Sequence, residues 1–202
     1  MATNLIEFEI IEDVSVIAEF LKTHVNWQKF VNLCASLGSQ FSDAQWRFLK
    51  AFVFETAVEK FSEGLVQYVA QEGCDFIIPS INNVKIEMKY TEDVLYTAKS
   101  SVPRKQTKTI TLLNSKGTNT HSVLPETYAD FLLVVGQRGA ALIDKPTLAN
   151  YIEIKGDSIT TTIPTDKMHF IFTPDTISEP KVIEFNLRQQ IIQTIRTSLS
   201  EF

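Results

Sequence analysis

The chain has 202 residues, of which 44% are hydrophobic and 21% charged, a globular composition with enough apolar material for one substantial core. Its longest apolar runs, such as Phe131 to Val135, are far shorter than a membrane span, and the opening MATNLIEFEIIED lacks the basic and apolar regions of a secretory leader. A formal net charge of −5 argues against a protein that coats nucleic acid broadly, so any polyanion contact has to be local.

In chain order, Val14, Ile17 and Leu21, then Phe30, Leu33 and Leu37, recur at three- and four-residue spacings and predict core-facing helices. From Ser42, which forms a capping-box pattern with Gln45, the apolar residues Phe48, Leu49, Phe52, Val53, Val58, Phe61, Leu65 and Val69 predict a long helix up to Gly73, or two helices with a break near Gly64. From Cys74 the texture changes to short β-rich runs, DFIIP, VKIEMKY, FLLVVGQ, ALI with YIEIKG, and HFIFTP, separated by Asn, Gly, Pro, Asp and Ser. Asn186 then caps a helix in which Leu187, Ile191, Ile195 and Leu199 share a face. Helix, strands, helix in this order predict an α/β or α+β fold with a central mixed sheet flanked by helices. One domain is expected over 1–202, with 1–41 as a helical N-terminal elaboration and 42–202 as the core. Cys34 and Cys74 fall in apolar segments, which suits buried thiols in a reducing cytoplasm.

The stretch CDFIIPSINNVKIEMKY carries the chemistry. Along VKIEMKY, Val84, Ile86, Met88 and Tyr90 point one way while Lys85, Glu87 and Lys89 point the other. A solvated strand face has the same pattern. The preceding arm, however, begins with Asp75 and is joined by a turn-prone segment. With an even loop and no bulge Asp75 faces away from Glu87; an odd loop, or a bulge, puts both carboxylates on one face. In that second case two close carboxylates repel unless a cation lies between them, and hard oxygen ligands suit Mg²⁺. Lys89, two residues along, is then placed to hold an attacking water and offset charge on a phosphate.

Asp75, an eleven-residue gap and Glu87-Met88-Lys89 resemble the D-(x)n-(D/E)-x-K core of PD-(D/E)XK nucleases, and the size and preceding helix look most like a type II restriction endonuclease. Cys74 stands where that pattern has Pro. The resemblance implies a mixed sheet flanked by helices, Asp75 and Glu87 as Mg²⁺ ligands, Lys89 on the nucleophilic water, and cleavage of duplex DNA at a short site. It also implies a helix-borne acid near the metal, for which Glu55 and Glu59, four residues apart on one helix face, are the candidates, with Glu55 preferred.

Between Val94 and Pro125 there is no Asp or Glu, and Lys99, Arg104, Lys105, Lys108 and Lys116 all fall there. This composition suits a DNA-reading arm in which Arg104, Lys105, Lys108 and Lys116 contact phosphates or guanines and Gln106, Asn114 and Asn119 read adenine edges. A passive polar loop is the other reading. His24, His121 and His169 lack zinc spacing, and no phosphate-binding glycine loop or G-x-S-x-G elbow is present. Cutting two strands with one site per chain predicts a homodimer, with the N-terminal helices or the Leu187 to Leu199 helix as candidate interfaces. The alternatives are a structure-specific or repair nuclease of the same fold, and a DNA-binding or interaction module without catalysis.

Overall fold

The computed structural model describes residues 13–38, 40, 46–71, 73–90, 109–113, 129–155 and 158–200. Helix α1 (Val14–His24) starts where the Asp13 carboxylate accepts the Ser15 N–H at 2.8 Å, and α2 (Trp27–Leu37) starts where Asn26 accepts from Lys29 at 3.1 Å. Such caps satisfy N–H groups that the helix leaves without a partner. Of the stripes expected from their spacing, Ile17 and Leu21 on α1 and Phe30 and Leu37 on α2 are buried, Val14 and Leu33 are partly buried, and Cys34 joins the buried face of α2. Helix α3 (Arg47–Phe61) buries Phe54, Ala57 and Val58.

The long helix expected up to Gly73 is corrected here. It ends at Phe61 because Glu63 and Gly64 take left-handed φ values of 56° and 81°, a conformation that cannot continue a right-handed helix. The break expected near Gly64 is present, but a strand follows it, β1 (Gln67–Gln71). Five further strands complete the larger sheet: β2 (Cys74–Ile78), β3 (Val84–Tyr90) and, after β4 (Thr109–Leu113), β5 (Phe131–Gly136) and β6 (Gly139–Asp144), with α4 (Lys145–Tyr151), β7 (Ile152–Lys155) and β8 (Ser158–Pro164) preceding the last of them, β9 (His169–Phe172). Helix α5 (Leu187–Leu199) closes the order, capped by Asn186 as its sequence predicts.

The six-stranded sheet has the order β1-β2-β3-β5-β6-β9, and β4-β8-β7 form a second sheet. Only the β3–β5 pair is parallel in the larger sheet; its other pairs are antiparallel. The fold is therefore α+β with a mixed sheet flanked by helices. One face, carrying Phe76, Ile86, Phe131 and Leu133, packs on α1, α2 and α3. The other, carrying Leu132, Val134, Ala141 and Ile143, packs on Leu148 of α4 and Ile163 of β8. Strand β5 is buried on both faces, as its unbroken apolar run requires. Each fully buried Phe or Leu contributes roughly 1.5–3 kcal/mol by leaving water. Cys34 and Cys74 are free and buried. No described helix is long and apolar enough to cross a membrane.

A ladder of side chains ties the segment before α5 to α2. Gln28 exchanges two bonds with the Ser178 backbone at 2.9 and 3.2 Å, Asn32 accepts the Lys181 N–H at 2.9 Å, and Ser36 accepts that of Ile183 at 2.8 Å. Gln40 donates to the Phe185 carbonyl at 2.9 Å and accepts the Leu187 N–H at 3.0 Å. Four helical residues rise about 6 Å and two extended residues about 6.6 Å, so Asn32 and Ser36, four apart on α2, keep step with the alternate peptides of Lys181 and Ile183.

Candidate active site

The hairpin of β2 and β3 sets the geometry. Its ladder pairs Phe76 with Ile86, Ile77 with Lys85 and Ile78 with Val84, which leaves the five residues 79–83 as the loop. Asn82 and Asn83 turn it with left-handed φ values of 48° and 55°, a region Asn tolerates better than most residues. The loop is odd. Carried one residue further, the same register sets Asp75 across from Glu87, so Asp75, Glu87 and Lys89 share a face of the sheet.

Beyond Phe76 the backbone ladder gives way to a side chain: the Asp75 carboxylate accepts the Met88 N–H at 2.7 Å. Glu87 is 5% exposed and forms an ion pair with the Lys89 ammonium. On its other side β3 runs parallel to β5, with Glu87 beside Leu132 and Lys89 beside Val134. Those two residues belong to the second apolar core, which shields the pair from water, while the Lys89 side chain remains 38% exposed at the open end of the strand.

Helix α3 adds a third carboxylate. Glu55, half-buried, feels the charges of both Lys89 and Glu87. Glu59, one turn on, is used differently: its carboxylate accepts the Tyr68 backbone N–H at 3.2 Å. Glu55 is thus electrostatically coupled to the β3 pair. Of the site carboxylates, Glu87 makes the direct ion pair with Lys89. Burial, then the charge of Glu87, raises the Asp75 carboxyl to about 7 against the pull of the Met88 hydrogen bond. Burial also pushes Glu55 up; Lys89 opposes that shift and Glu87 adds to it.

Among the described residues no group of three or more His, Cys, Asp or Glu side chains is set to hold a metal ion. Asp75 and Glu87 supply two carboxylates, and Mg²⁺ is commonly held by one or two carboxylates with water and phosphate oxygens in the remaining places. The donor set and its excess negative charge fit such an ion. Comparison of the chain with protein-family models, with curated proteins and with solved structures gives no match.

Arg104, Lys105, Gln106, Lys108, Asn114, Lys116 and Asn119 lie outside the described residues. Within their segment the backbone of Thr109–Leu113 forms β4, paired antiparallel with β8. The sequence reading missed Tyr68, whose backbone N–H bonds the Glu59 carboxylate at 3.2 Å and whose ring stands edge-on to Phe52 of α3 and Phe76 of β2. Its segment had the look of helix, although the change from buried Val66 to exposed Gln67 to half-buried Tyr68 is a strand's alternation.

Proposed function

We propose that this chain is a Mg²⁺-dependent endonuclease of the PD-(D/E)XK kind that cuts duplex DNA at a short specific sequence, working as a homodimer in the cytoplasm. The observation that carries the reading is the placement of Asp75, Glu87 and Lys89 on one face of adjacent strands, with Asp75 bonded to the Met88 peptide. Asp75 and Glu87 would hold the ion. When bound, Mg²⁺ stabilises charge that develops on the phosphate and acidifies water. With Glu87 holding the ion, Lys89 would be free to offer its ammonium to the attacking water and a phosphate oxygen. Glu55 supports the site from α3, and Leu132 and Val134 limit solvent on its inner side.

The basic segment around Lys108 and Lys116 supplies the local positive charge that the overall balance lacks. A homodimer matches a two-fold symmetric target. On α5, Ile195 and Leu199 are exposed, which keeps that helix a candidate interface.

Purified protein incubated with plasmid and Mg²⁺ should give discrete fragments, and with Ca²⁺ should bind without cutting. Junction-selective cuts would replace this reading with a structure-specific nuclease, and binding alone with a non-catalytic module. Gel filtration should give the mass of two chains; a single-chain mass with and without DNA would remove the dimer.

A further inference from the structure

Helix α5 is held on the fold although none of its residues is buried. Gln40 fixes its start by main-chain bonds, donating to the Phe185 carbonyl and accepting the Leu187 N–H, and the Arg188 guanidinium lies 4.7 Å above the Trp46 ring. The two faces of the helix differ. Leu187, Ile191, Ile195 and Leu199 recur every four residues on the side that carries Arg188. On the opposite side Asn186, Gln189, Gln190 and Gln193, at i, i+3, i+4 and i+7, line an open depression of about 510 Å³, and among the described residues its lining is wholly amide. Arg196 continues this stripe one turn further on.

The Asn186 oxygen is engaged as the cap, accepting the Gln189 N–H at 2.9 Å. The side chains of Gln189, Gln190, Gln193 and Arg196 are exposed and make no hydrogen bond or ion pair among the described residues. Gln28 and Gln40, by contrast, each bond the strap with both ends of their amides. Charge points to the occupant of the free amide face. From Phe185 to Ser200 there is no Asp or Glu, in a chain that has 24 of them against 19 Lys and Arg. A solvated helix face ordinarily mixes both signs; this one is cationic and otherwise neutral, so a polyanion meets no repulsion there. A Gln amide presents a donor and an acceptor in one plane, which matches the N6 and N7 edge of adenine, and a helix about 10–12 Å across fits a major groove about 12 Å wide.

We propose that the amide face of α5 reads base edges in the major groove of duplex DNA, with Gln189, Gln190 and Gln193 on adenines and Arg196 on a flanking phosphate. The inference rests on the DNA-cleaving reading given above and deepens it by naming a reader outside the basic segment. The main-chain clasp between α2 and the strap gives the amides a rigid base. The apolar face of α5 points the other way, so a second copy bound there leaves the amides open to DNA.

The test is selection of duplexes from a random-sequence pool by the full chain in Ca²⁺, followed by fluorescence anisotropy with the selected duplex and a scrambled one. Gln189→Ala and Gln193→Ala should each weaken the selected duplex by roughly tenfold and relax base preference at one or two positions. Binding of the scrambled duplex should stay within about twofold, because no charge is lost. Arg196→Ala should weaken both duplexes and lower the salt slope by about one unit. Parental base preference in a Gln189→Ala, Gln193→Ala double variant, or a parent that enriches no sequence, would overturn the inference; loss of a parental dimer in the double variant would assign the face to a second copy instead. In each of these cases a parent that cuts DNA keeps the nuclease reading. Altered preference in the variants of a parent that never cuts with Mg²⁺ would remove that reading and leave α5 a reader. A parent that binds no duplex would sink both.

Discussion

The Asp75 carboxylate accepts the Met88 N–H at 2.7 Å, so the first acidic position is tied to the peptide that lies between the other two site residues. The bond fixes the carboxylate at the end of the β2–β3 ladder, where a backbone carbonyl would otherwise be required. Asp75→Asn retains an oxygen for this N–H, so the hairpin should survive, while the charge needed by a divalent ion disappears. DNA cleavage should fall by orders of magnitude with an unchanged circular dichroism spectrum, and Glu87→Gln should behave alike. Parental cutting rates in both variants would remove the catalytic assignment.

Lys89→Ala separates ion binding from chemistry. An ammonium offers a cation no lone pair, and its loss leaves the Asp75 and Glu87 charges with less compensation. Mn²⁺ affinity should be kept or increased, whereas strand cleavage should be lost. A variant that cuts normally, or one that loses the metal, would show that Lys89 serves only to pair with Glu87.

The raised Asp75 carboxyl predicts a pH dependence of stability in metal-free protein. The folded state binds this proton with a pKa of about 7, against 3.8 for the ordinary group, so proton binding favours folding. That contribution is fully present below about pH 4 and is lost as pH rises through about 7. Urea midpoints of the parent should therefore decline relative to those of Asp75→Asn across this window, and divalent ions should restore the parent above it. Parallel curves for the two proteins would refute the raised Asp75 carboxyl.

For the basic segment, Lys108→Ala and Lys116→Ala should each weaken DNA binding and flatten its salt dependence by about one unit of slope per lost phosphate contact. Fluorescence anisotropy over a salt series measures both. Unchanged slopes would make the segment a passive loop.

The two arms of the hairpin were legible because strand alternation is local, DFIIP and VKIEMKY each declaring a strand, but the parity of their loop stayed open: only the pairing of Ile78 with Val84 leaves five residues between them and decides the facing of Asp75. The helices α1, α2 and α5 were legible for the same reason, their apolar stripes, and for α5 its Asn186 cap, lying within single segments. Strand β1 was not, because Leu65 and Val69 continue the spacing of α3 and only the left-handed turn at Glu63 and Gly64 interrupts it. Mistaking β1 hid Tyr68, whose contacts with Glu59 and Phe52 require an edge strand beside α3. Helix α4, with seven residues, and the Thr-rich β8 have patterns too short or too polar to declare themselves. The choice between Glu55 and Glu59 was likewise beyond sequence, since both share a helix face and only the docked β1 reveals that Glu59 is committed to the Tyr68 N–H.

The side chains of Gln28, Asn32, Ser36 and Gln40 take hold of peptide groups between Ser178 and Leu187 rather than of side chains. That segment is consequently bound by phase and not by spelling. Val182 and Ile183 are 65% and 63% exposed and can be exchanged for other residues with little effect on the clasp, so long as each N–H remains. Proline at Ile183 would erase a rung. One added residue between Lys181 and Leu187 would turn every later N–H away from its acceptor, whereas two added residues would restore the alternation and displace α5 along α2.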